Sequence, residues 1–99
     1  MTKSEKAHLN SLAGFGCVAC FLNGTPGTPP EIHHIRAGVG MGQRSSHYRA
    51  IPLCHAHHRG TMHPEVPSIH RDKVEFERAF GTEEQLLEFV NSRLHWINK

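Results

Sequence analysis

Apolar residues recur along this chain at two spacings, one helical and one extended, with glycine and proline between them. At the start, Thr2 and Glu5 stand three apart ahead of Ala7, Leu9 and Leu12. A threonine and a glutamate at this spacing satisfy each other's free amides at a helix start, so a helix is predicted over residues 3–13 with Gly14 as its stop. Residues 14–20 read as a tight turn carrying two cysteines, and residues 23–30 (NGTPGTPP) are too rich in glycine and proline for a regular element.

Two short apolar runs follow, at residues 31–35 and 48–53, and are predicted to pair as strands on either side of a glycine-rich polar loop over 36–47. Long loops in compact domains are often functional. Residues 54–60 read as the first turns of a helix cut short near Gly60 and Pro64, giving the order strand, loop, strand, helix. Ser68 is placed to cap a helix through Phe80, which Gly81 stops. Thr82 and Gln85 then form a second capping box, and Leu86, Val90, Leu94 and Ile97 recur at helical spacing as a core-facing stripe. The fold class is therefore α+β in a single domain over residues 1–99: an N-terminal helix over 3–13, a small core over 14–63 and C-terminal helices over 68–97.

Composition sharpens this picture in one respect. A chain of 99 residues with 37% hydrophobic positions buries only a modest core, and domains of this size commonly need a metal or a disulfide. Three cysteines cannot all pair, which favours metal and a reducing compartment, so a cytoplasmic protein is expected. The start of the chain, MTKSEKAHLN, lacks the apolar run of a signal peptide, and no segment has the roughly 18 apolar residues of a membrane span. The formal net charge of +2 does not by itself argue for nucleic acid, although ten histidines raise it in mild acid.

The chemistry lies in the cysteines and histidines. Cys17-x-x-Cys20 and Cys54-x-x-His57 are two chelating pairs, each on one turn, and three thiolates with one imidazole make a closed tetrahedral zinc site. A two-cysteine, two-histidine DNA-binding finger is excluded: Pro29 and Pro30 rule out a helix leading into His33, and no histidine follows His33 or His34 at the required spacing. A second group comprises His33 and His34 on the first strand and His58 on the short helix. Neighbours on a helix point about 100° apart, so His57 and His58 can serve two different metals. Adjacent strand residues face opposite ways, so His33 and His34 share a site only where the strand ends or twists.

The stretches EIHHI at 31–35 and IPLCHAHH at 51–58 resemble the HNH (ββα-metal) endonucleases. Within that group the run CVAC, EIHH, PLCHAHHRG and SIHRDKVEFERAFGTEEQLL is most similar to the phage recombination nucleases of the Ref, RecA-dependent type. The resemblance implies a small HNH fold with a structural zinc and flanking helices, acting as a metal-dependent DNA endonuclease in phage recombination or DNA processing. It assigns His33 and His58 to a catalytic divalent metal, magnesium or manganese, and His34 to the general base. Imidazole-rich ligation also suits zinc or nickel. The region SSHYRAIPLC lacks the asparagine that orients the base in that family, which leaves the task to His47 or a backbone carbonyl. His63 and His70 are the candidates for a further metal ligand. Arg36, Arg44 and Arg49 flank the site and are candidate DNA phosphate contacts, and a RecA-type filament is the partner the resemblance implies. The alternative is a non-catalytic zinc module that binds nucleic acid or a recombination protein; an RNA-directed nuclease is not separable from the first reading by sequence.

Overall fold

The computed structural model describes residues 2–35, 47–60 and 66–97, the last three of these by their backbone alone. The first helix, α1 (Lys3–Phe15), starts at the expected capping box: the Thr2 hydroxyl accepts from the Glu5 amide at 3.1 Å, and the Thr2 amide donates to the Glu5 carboxylate at 2.8 Å. It does not stop at Gly14. It runs on to Phe15, which packs against the core, and ends at Gly16. Gly16 has φ +85°, and a Cβ there would stand 3.2 Å from the backbone of Gly27 and Thr28, so both conformation and space call for glycine. The segment expected to be only a turn carries a short helix, α2 (Val18–Leu22). Its apolar residues Val18, Ala19 and Cys20 are buried, and the Cys17 sulfur accepts the Cys20 amide at 3.4 Å.

Strands β1 (Glu31–His34) and β2 (Ala50–Leu53) pair antiparallel, with Glu31 opposite Leu53 and His34 opposite Ala50. β2 is buried at all four positions because α1, α2 and the last helix pack on it. Pro52 fits there because a two-stranded sheet leaves each strand one unpaired edge, where a missing N–H costs nothing in the ladder. The chain then turns directly into α3 (His55–His58).

The helix expected from Ser68 begins later, as α4 (Lys73–Phe80). The preceding residues instead satisfy the end of α3: Ile69 donates its amide to the His57 carbonyl at 2.8 Å, and His70 donates to the His58 carbonyl at 3.2 Å. Arg71 holds this return in place by donating to the carbonyls of Gly60 and Val66. The last helix, α5 (Glu83–Ile97), follows a second capping box, in which Gln85 donates to the Thr82 hydroxyl at 3.2 Å and Thr82 donates to the Gln85 side chain at 2.8 Å. Its residues Leu86, Val90 and Leu94 join Leu12, Ile51, Leu53 and Phe76 in one apolar cluster. Burying each such side chain contributes about 1.5–3 kcal/mol. Among the described residues, no helix is long and apolar enough to cross a membrane.

Candidate functional site

Cys17, Cys20, Cys54 and His57 converge between α2, β2 and α3, their ligand atoms all within 4.8 Å of one another. Cys17 and Cys54 each stand immediately before a short helix, so the partner three residues on lies on the same face. The Cys20 and Cys54 sulfurs are 3.7 Å apart, and Nδ1 of His57 lies 3.2 Å from Cys54, 3.6 Å from Cys20 and 3.7 Å from Cys17. A tetrahedral zinc at its usual bond lengths sets sulfur–sulfur edges of about 3.8 Å and sulfur–nitrogen edges of about 3.5 Å, which this set matches. Burial pushes the Cys17 thiol up to about 12, and the neighbouring sulfurs push it the same way. Burial likewise holds His57 below the usual imidazole range, so its ring is neutral and fit to ligate. Three buried sulfurs become thiolates together only with a cation among them; the donor set suits zinc.

A second cluster lies on the other side of α3. His33, His58 and His70 bring three ring nitrogens within 4.8 Å of one another, a set able to hold a metal ion. Nε2 of His58 is 3.2 Å from Nδ1 of His33 and 3.0 Å from Nε2 of His70. Nitrogens bound to one ion at about 2.1 Å stand roughly 3.0 Å apart in octahedral and 3.4 Å apart in tetrahedral geometry, which brackets both distances. His57 and His58 therefore point into different clusters, and both are buried. The return of residues 69–70 along the end of α3 explains how His70 reaches His58. Burial lowers the pKa of His33, against a hydrogen bond to Glu83 that raises it, and burial also lowers His70.

Two carboxylates back this cluster, and neither stands out in the sequence as part of it. His33 donates from Nε2 to Glu83 at 2.8 Å, and His58 donates from Nδ1 to Glu31 at 2.8 Å. Glu31 and His33 share a face of β1 because side chains alternate along a strand, and His58 lies against both. The His58 hydrogen bond holds the Glu31 carboxyl below its usual range.

His34, the last residue of β1, lines the same open cleft as His33, His58, His70, Lys73 and Glu83. Its Nε2 lies 3.0 Å from Nδ1 of His47, and burial first, then the His47 ring, lowers its pKa. Arg49 pairs with Glu84 on α5. His63, Arg36 and Arg44 lie outside the described residues.

A two-stranded antiparallel sheet running into a short helix, packed among further helices and carrying a zinc-type cysteine and histidine cluster, defines a small α+β protein consistent with the ββα-metal class. The family model described as "Recombination enhancement, RecA-dependent nuclease" matches residues 1–95. The chain belongs to this family, which supports a nuclease role in recombination. No curated protein matches it.

Proposed function

We infer that this chain is a metal-dependent DNA endonuclease of the HNH type, with His33, His58 and His70 holding a divalent cation and His34 acting as general base. The observation that carries this reading is the convergence of three imidazole nitrogens in an open cleft that His34 also lines. The cation, magnesium or manganese, supplies charge stabilisation for the phosphorane and the leaving oxygen when bound. The mechanism requires the tautomer in which His34 donates from Nε2 to Nδ1 of His47, 3.0 Å away, so that its own Nδ1 lone pair takes a proton from the attacking water. His47 thus does the orienting work done by asparagine elsewhere. The lowered pKa keeps the His34 ring in its unprotonated form near neutrality.

Hydrolysis leaves a 5′-phosphate. Lys73, exposed at the mouth of the cleft, grips the DNA backbone together with Arg49, which exchanges its bond with Glu84 for a phosphate. Arg36 and Arg44 extend this basic set. A RecA filament presents the DNA. Protein carrying zinc only in the cysteine cluster is expected to be inactive on plasmid or RecA-coated DNA and to gain cleavage on adding magnesium or manganese. Absence of cleavage with each of magnesium, manganese, zinc and nickel, with and without RecA, would sink the enzyme reading and favour a non-catalytic zinc module.

A further inference from the structure

Each neutral imidazole has one ring N–H and one lone pair, and a carboxylate only accepts. The nitrogen that meets a carboxylate must therefore carry the proton. At His33 that nitrogen is Nε2, 2.8 Å from Glu83, which leaves the lone pair on Nδ1. At His58 it is Nδ1, 2.8 Å from Glu31, which leaves the lone pair on Nε2. With both rings neutral, these two lone-pair nitrogens face each other at 3.2 Å with no proton to lie between them. Such a contact is unfavourable alone and is relieved by a cation.

We propose that Glu31 and Glu83 are positioning residues that fix the ring tautomers of His58 and His33, so that both imidazoles turn a lone pair toward one cation shared with His70. The inference rests on reading these three histidines as ligands. Each carboxylate is itself held. The second oxygen of Glu83 lies 3.4 Å from the Lys73 ammonium. Glu31 receives Arg59 Nε at 3.2 Å and stands 3.7 Å from the His55 ring. Glu31 sits two residues before His33 on the same strand, and Glu83 sits in the first turn of α5, so both orienters come from rigid elements.

The test has two readouts. Nitrogen-15 spectra of histidine-labelled protein, zinc-loaded in the cysteine cluster and without a second ion, are expected to show His33 protonated at Nε2 and His58 at Nδ1. Manganese titration followed by water relaxation is expected to show binding about 10- to 100-fold weaker in Glu31→Ala and in Glu83→Ala. Glu31→Gln and Glu83→Gln, which keep an accepting oxygen, should recover part of that loss. Glu84→Ala removes the same charge from the same helical turn and should leave manganese affinity unchanged. A parent protein that binds manganese with His33 protonated at Nδ1, or with both alanine variants binding as tightly as the parent, would overturn this proposal alone. A parent that binds no manganese at His58 would overturn the ligand reading and this proposal together. Should an alanine variant fail to fold, the parent's tautomers decide.

Discussion

The two clusters on either side of α3 differ in what closes them. The first gathers four donors, three of them sulfur, and a fourfold set leaves a tetrahedral ion no free position. The second gathers three imidazoles beside an open cleft and surrounds them with carboxylates and a lysine. A closed set of soft donors stabilises a fold, whereas three donors with space beside them leave room for water and substrate. Two adjacent histidines of the same chemistry thus join clusters of different kinds because of the company each meets.

The largest expected effect breaks the closed cluster. A structural zinc contributes on the order of 10 kcal/mol of apparent binding free energy coupled to folding, against a typical domain stability of about 5–15 kcal/mol. Cys17→Ser is therefore expected to lose both zinc and the fold, read by metal stoichiometry and circular dichroism. A zinc-free variant that still melts like the parent would take Cys17 out of the ligand set.

The open cluster is expected to respond differently. On the proposed mechanism, His34→Ala slows single-turnover DNA cleavage about 100- to 10,000-fold with zinc content, melting and manganese binding retained. His70→Ala instead weakens manganese binding while the zinc stays in place. Equal loss of manganese in both variants would move His34 from proton transfer to ligation.

A smaller effect tests how the two halves of the open cluster are brought together. Gly60 has φ +70°, and a Cβ there would lie 2.7 Å from the Ser68 hydroxyl and 2.9 Å from the Arg71 guanidinium. Gly60→Ala should cost about 1–3 kcal/mol, through a strained φ and the clash. Because the displaced segment carries His70, manganese affinity should fall while zinc is retained. Unchanged melting and unchanged manganese binding would show that the return segment tolerates the shift.

Local signals in the sequence were reliable where the physics was local. Both capping boxes, Thr2 with Glu5 and Thr82 with Gln85, are three-residue patterns and form as expected. The cysteine pairs belong to the same category, since each places its ligands on one turn. Reading failed where distant packing decides. Gly14 carries no stop because Phe15 continues the helix into the core, and the glycine that matters is the next one, where residues 27 and 28 press close. Ser68 does cap a turn, its hydroxyl accepting the Arg71 amide at 3.1 Å, but Asp72, at φ −129° and ψ 58°, breaks that turn before α4 begins at Lys73. Glu83 was visible only as an acidic first turn, since nothing local links it to a histidine 50 residues earlier. Glu31 could have been found: its position two before His33 puts both on one strand face.

The peptide bond between His57 and His58 has a consequence in time. One ring completes the sulfur-rich cluster and the next helps build the open one, so if zinc sets the helix that carries both, the second cluster takes shape only after the first. On the proposed reading, a newly made chain is harmless to DNA until zinc arrives, and the two ions must be taken up in a fixed order. On that reading, a single chain makes its capacity to cut conditional on a metal that takes no part in the cutting.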